Sequence, residues 1–292
     1  MDDVTVTPRE EYFFDLNGFL VLKNVLTRSH VAEMNAILTE ISQLDPPLRP
    51  GEWYGGVHTH SYGGAEGTNL QQIYEAGEPF ERLIDYPGWF AKVKHFVGGE
   101  NTFDWHHGPL FIDENFANLR EKGEAIGLHS GAYEGVIRCQ YRYQNGRFHC
   151  GQINVLMALT DIGPGDGATM VIPASHKSNF VHPDVAKHSM KAGEVRSVDD
   201  VEGAIEVHLE AGDALLFVDA ISHGSAKRVN PGERRIVVYR YGPSWGNFRH
   251  PYAASEALQA RLTPRQRKVV CPQPPIPREP NRLPNTPNPE KM

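Results

Sequence analysis

From about Thr102 to Tyr241 the chain is cut into short strand-forming runs by turn-forming residues, the first well-bounded run starting at Ile137. This alternation constrains the fold more than any other feature. The runs cover 137–143, 148–159, 168–173, 205–209, 214–218 and 235–241. Asn145-Gly146, the stretch 163–167 (GPGDG), Ala211-Gly212-Asp213 and Asn230-Pro231-Gly232 separate them. Asn-Gly between two such runs signals a tight hairpin, because both turn positions need a positive φ. Many short strands at this spacing predict a sandwich, barrel or jelly roll.

The amino-terminal part reads differently. Residues 10–26 (EEYFFDLNGFLVLKNVL) predict an acidic helical turn, a stop at Asn17-Gly18 and a strand at 19–22. A helix follows from Thr27, with Val31, Met34, Ile37, Leu38 and Ile41 at helical spacing. Residues 44–67, rich in Pro and Gly, read as loop. Residues 71–97 read as helix in two pieces broken at Tyr86-Pro87-Gly88. The expectation is a single domain over 1–271, helical first and β-rich after. Eight prolines in 272–292 predict an extended tail without regular hydrogen bonding.

Composition removes several functions. With 29 Lys+Arg against 36 Asp+Glu, the net charge of -7 disfavours duplex nucleic acid and membrane surfaces as partners. No apolar run approaches the roughly 20 residues of a membrane span. Cys139, Cys150 and Cys271 are odd in number and lack C-x-x-C spacing, so no disulfide framework or Cys-rich metal site is expected. Together with an N-terminus lacking a signal-like apolar run, this predicts a reduced, cytoplasmic setting. The 14 histidines hold the most chemical information.

Three ordered motifs stand out. They are Leu128-His129-Ser130-Gly131; then 158–161 (ALTD) with 166–177 (DGATMVIPASHK); then 212–217 (GDALLF), His223-Gly224-Ser225 and Arg234-Arg235. This order resembles the phytanoyl-CoA dioxygenase family of Fe(II)/2-oxoglutarate oxygenases over roughly residues 10–245. The resemblance implies a jelly roll (double-stranded β-helix, cupin-like), mainly β with flanking helices. It implies Fe(II), 2-oxoglutarate and O2 as cofactors. His129 and His223 are then the metal ligands. Arg234, eleven residues after His223, is the partner of the far carboxylate of 2-oxoglutarate, a task suited to a planar, permanently charged fork. Arg235 remains the alternative, should the register slip by one. His149 is the rival for the first ligand, and His176 reads as structural. His106 and His107 are even candidates for lining the pocket or capping a loop.

Gly131 stands where that family's H-x-D motif has its aspartate, and glycine cannot ligate iron. Three accounts compete. The open position accepts chloride, as in the H-x-G halogenases that this stretch is similar to. A halide there keeps the charge balance of the lost carboxylate. Alternatively Glu134 or Asp219 fills the gap and the enzyme is a hydroxylase, with Asp219 and His223 on one face of an extended strand. Thirdly, the protein is a non-catalytic, cupin-like binder. The halogenase reading is preferred: chlorination of an unactivated aliphatic carbon of a small molecule, with the 2′-carbon of a deoxyadenosine nucleotide as the narrower expectation. A nucleotide would require phosphate partners such as Arg138, Arg142, Arg147 or Lys177, and a stacking ring such as Trp105, Phe111 or Tyr133. A carrier-protein partner is not expected, because such proteins are themselves acidic.

Overall fold

A computed structural model of the chain describes residues 3–60, 66–101, 108–132, 135–184, 200–246 and 253–272. The proline-rich tail expected over 272–292 lies outside these residues from 273 onward, as do Trp105, His106, His107, Tyr133 and Glu134.

Helix α1 (Pro8–Asn17) starts at a reciprocal cap, in which Thr7 Oγ1 accepts from Glu10 N–H and the Glu10 carboxylate accepts from Thr7 N–H. Gly18, at φ 84, ends it by donating its N–H to Phe14 O. Strand β1 (Phe19–Leu22) and helix α2 (Arg28–Ser42, capped by Thr27) follow. Where loop was expected, the chain forms a hairpin of β2 (Trp53–Tyr54) and β3 (Val57–His60), joined by β4 (Thr68–Gln71). Glycine and proline bound those strands closely enough to mask them. Helices α3 (Glu78–Glu81) and α4 (Phe90–Val97) flank the predicted break at Tyr86-Pro87-Gly88.

The β core then runs through β5 (Leu110–Arg120), β6 (Ile126–His129), β7 (Tyr143–Gln144), β8 (Arg147–Phe148), β9 (Ile153–Ala158) and β10 (Thr169–Val171). It ends with β11 (Ile205–Val207), β12 (Ala214–Val218), β13 (His223–Ser225) and β14 (Arg234–Pro243). The strand expected at 137–143 is instead a short 3-10 turn, Ile137–Cys139, and the Asn145-Gly146 hairpin pairs only β7 with β8.

Eight strands form the major sheet, in the order β1-β12-β9-β14-β5-β4-β3-β2, and four form the minor sheet, β11-β10-β13-β6. All the pairings are antiparallel. Alternation along β14 sends Arg235 and Tyr239 outward and Arg234, Ile236 and Val238 inward. Outside, Tyr239 donates to Phe80 O at 2.7 Å, and Arg235 donates to Asn35 O and Thr39 Oγ1 of α2 at 3.0 and 2.8 Å. The helices therefore cover one face of the major sheet. The other face meets the minor sheet, through Phe217 against the His223 ring at 4.9 Å and Arg120 on Ser225 Oγ at 2.7 Å. This is a jelly roll, whose interior is the space between two sheets.

Candidate active site

His129 ends β6 and His223 opens β13, and the two are direct cross-strand partners. Residues so paired project to the same face; their ring centroids lie 4.1 Å apart. Each Nδ1 donates to a carbonyl two residues back, His129 to Gly127 O at 3.0 Å and His223 to Ile221 O at 2.8 Å. A carbonyl only accepts, so the proton sits on Nδ1 and the lone pair on Nε2 in both rings. That is the tautomer a metal ion requires, fixed by backbone. Burial, then the neighbouring His223, hold His129 well below the usual imidazole range, so it stays neutral and able to ligate.

Ser130 and Gly131 follow at φ 60 and 113. The chain leaves the strand here in a left-handed conformation that side chains other than glycine's rarely adopt. Gly131 is thus more than a truncated aspartate: the backbone takes a path that favours the absence of a side chain. Among the described residues no group of three His, Cys, Asp or Glu is arranged to hold a metal. Of the two carboxylates proposed for the gap, Glu134 lies outside the described residues. Asp219 does not share a strand face with His223, because β12 ends at Val218 and a turn closed by Ile221 N–H to Val218 O intervenes. Its carboxylate is fully buried, with Oδ1 accepting from Asn154 at 3.1 Å and Oδ2 from Arg138 at 2.8 Å.

Farther along the same interior, Arg234 opens β14 and is 3% exposed. It donates to Gly167 O, to Ser225 Oγ at 3.3 Å and to Asn118 Oδ1 at 2.9 Å, while its Nε is buried with no hydrogen-bond partner. All those acceptors are neutral. Burial first, then Arg120 and Arg228 nearby, push the guanidinium down to about 9. A buried cation among cations, with one donor unspent, fits a carboxylate. Arg235 instead pairs with Glu233 and α2 on the opposite face.

Three residues of this pocket, Ser225, Arg120 and Asn118, have no role assigned to them by the motifs. Ser225 could have been found, because it lies two residues after His223 on one strand and so shares its face. Arg120 and Asn118 come from β5 and reach the pocket only through its register with β14. His149 is exposed and beyond β8, away from the pair. His176 is buried behind the core, its Nε2 at 3.1 Å from Asp15 O. Arg142 and Arg147 are exposed on the hairpin, and Lys177 pairs with Asp15.

A histidine pair inside a jelly roll, with a buried arginine deeper in the same interior, is the architecture of the iron- and 2-oxoglutarate-dependent oxygenases. The chain belongs to the phytanoyl-CoA dioxygenase (PhyH) family, whose pattern matches residues 14–236. It is 33% identical over 179 residues to Dioxygenase cdmD of Talaromyces verruculosus, covering 61% of this chain and half of that protein's length. It is 23% identical over 287 residues to Dioxygenase FUM3 of Gibberella moniliformis, covering 91% of this chain and 83% of that one. It shares its fold with HygX from Streptomyces hygroscopicus, solved with nickel and 2-oxoglutarate bound, at a TM-score of 0.68 and 24% identity over 87% of this chain and 94% of that one. No helix among the described residues is long and apolar enough to cross a membrane.

Proposed function

We propose that the chain is an Fe(II)/2-oxoglutarate-dependent halogenase acting on an aliphatic carbon of a small molecule. One observation carries this reading: the residue two after His129 is a glycine at φ 113, where the family's motif has a carboxylate ligand. His129 and His223 hold the iron through Nε2. Arg234, with Ser225 beside it, holds the far carboxylate of 2-oxoglutarate. When bound, iron and 2-oxoglutarate would supply the oxidising power of O2, at the cost of converting 2-oxoglutarate to succinate and CO2. In the halogenation, R–H, chloride, a proton and the second oxygen atom of O2 would become R–Cl and water, the first oxygen atom having gone into succinate. The protein's part is to present two neutral imidazoles, anchor the co-substrate and leave a position beside Gly131 for the halide.

Polar residues line the interior wall next to the histidines. Arg240 pairs with Glu114 at 2.7 Å, and Gln71 donates to Glu114 at 3.0 Å. Such a wall favours a substrate with hydrogen-bonding groups over a plain hydrocarbon. A nucleotide meets that description, but of its phosphate candidates Arg142 and Arg147 are exposed, Lys177 pairs with Asp15 and Arg138 with Asp219, so none supports the narrower choice.

The test is a chloride titration of anaerobic protein loaded with Fe(II) and 2-oxoglutarate, followed by the visible metal-to-ligand charge-transfer band. A saturable shift supports a halide in the metal's shell. A band indifferent to chloride points to a filled position and hydroxylation. No band removes the iron and 2-oxoglutarate assignment.

A further inference from the structure

The Asp219 carboxylate touches both ends of the loop that carries Gly131. At its start, Ser130 Oγ lies 3.4 Å from Asp219 Oδ2. At its end, Arg138 Nη1 donates to the same oxygen at 2.8 Å and Cys139 Sγ lies 3.5 Å from it. Asp219 itself stands four residues before His223, in the turn that delivers β13. A buried carboxylate thus sits one residue away from His129 through Ser130 and one turn away from His223. A side chain so placed competes for a metal at an effective concentration far above that of any dissolved anion. For the third position to serve an exogenous halide, this carboxylate has to be held elsewhere.

We infer that Arg138 is a positioning residue that holds Asp219 out of the metal's shell and so keeps the place beside Gly131 open to an exogenous anion. Asn154, on the other oxygen at 3.1 Å, fixes the carboxylate's plane. A buried carboxylate paired with a guanidinium is compensated and stays put. Stripped of the guanidinium, the same carboxylate loses the contact that draws it toward the far end of the loop, and a metal held by the histidines competes for it. The identity of the third ligand is then set by an ion pair outside the metal's own ligands. This inference rests on the halogenase reading above.

The experiment is the same anaerobic chloride titration, run on wild type, Arg138→Lys, Arg138→Met, Asp219→Asn and the double variant Arg138→Met/Asp219→Asn. The wild type shifts with chloride. Arg138→Lys keeps the shift, because an ammonium still holds the carboxylate. Arg138→Met loses it, or needs at least tenfold more chloride. Asp219→Asn keeps it, and the double variant regains it, because no carboxylate is left to take the position. Removing both partners of a buried pair also perturbs the fold least, so the double variant and Asp219→Asn remain readable if Arg138→Met does not fold. A wild-type response in folded Arg138→Met overturns the inference and leaves the halogenase reading standing. So does loss of the response in Asp219→Asn or in the double variant. If the wild type ignores chloride, the halogenase reading falls and the inference with it; a response gained in Asp219→Asn would then identify Asp219 as the ligand.

Discussion

Arg234 and Arg120 are direct cross-strand partners on β14 and β5, and both guanidiniums hydrogen-bond one hydroxyl, Ser225 Oγ, at 3.3 and 2.7 Å. Like charges placed opposite each other in a sheet are destabilising. Their retention at 3% and 1% exposure makes sense when a dianion enters the pocket.

Replacing Arg234 by Met is therefore expected to weaken 2-oxoglutarate binding about tenfold to 150-fold, the loss of one charge-assisted contact of about 1.5–3 kcal/mol. Arg235→Met should leave that affinity within about twofold and lower thermal stability instead, since Arg235 ties β14 to α2. Anaerobic titration of 2-oxoglutarate against the Fe(II) protein measures both. Equal affinities in the two variants would return the register to open question.

The histidine pair makes a sharper demand. His129→Ala and His223→Ala should each abolish tight Fe(II) binding, because on the proposed reading each removes one of the two histidine ligands. His149→Ala, an exposed residue, should bind iron like wild type. Equilibrium dialysis against Fe(II) under anaerobic conditions reads this without turnover. Iron retained by His129→Ala would mean that the ligand set is wrong.

At Gly131 the backbone adds a second effect to the chemistry. Gly131→Ala and Gly131→Asp should both lose about 1–2 kcal/mol of stability, the strain of a side chain in the left-handed region. Only Gly131→Asp should also lose the chloride response, because only it brings a carboxylate. Thermal melts give the first comparison and the chloride titration the second. A chloride response surviving in Gly131→Asp would show that the halide does not bind where the aspartate would.

The histidines and Arg234 were legible because they fall in short motifs whose spacing survives in one dimension. The antiparallel core was legible from turn residues such as Asn145-Gly146. The bounds of β5 were not, although it is the longest strand among the described residues. It carries Glu114, Asn118 and Arg120 on its inner face and Asn115 on its outer face, with Asp113 at the point where its register to β14 shifts, which erases the period-2 hydrophobic signal. Asp113 accepts from Gln152 at 3.0 Å and Asn115 from Tyr74 N–H at 3.0 Å, so tertiary partners overrule the local pattern. The Arg138–Asp219 pair was hidden for another reason. It joins positions 81 apart in sequence, and only the closed jelly roll sets them side by side.

Gly212-Asp213, part of the third motif, stands apart from the histidine pair and has a structural role that pH can expose. Asp213 is fully buried and accepts from Lys23 Nζ at 2.5 Å, Asn24 N–H at 2.8 Å and Glu210 N–H at 2.8 Å, locking the end of β1 to the turn before β12. Burial alone would raise its carboxyl, but Lys23 and the two backbone donors outweigh that and hold it below the usual aspartate value. A carboxyl lowered on folding contributes stability that is fully present above its unfolded value, about 4. That contribution is lost as pH falls through the folded value. Asp213→Asn should therefore be less stable than wild type by about 1–3 kcal/mol at neutral pH, and the difference should shrink in acid below about pH 4. Lys23 is half exposed, so salt should screen its part of the effect and leave the backbone part. Urea unfolding at a series of pH values measures the gap between the two proteins. A gap that stays constant into acid would mean that Asp213 acts through shape rather than charge.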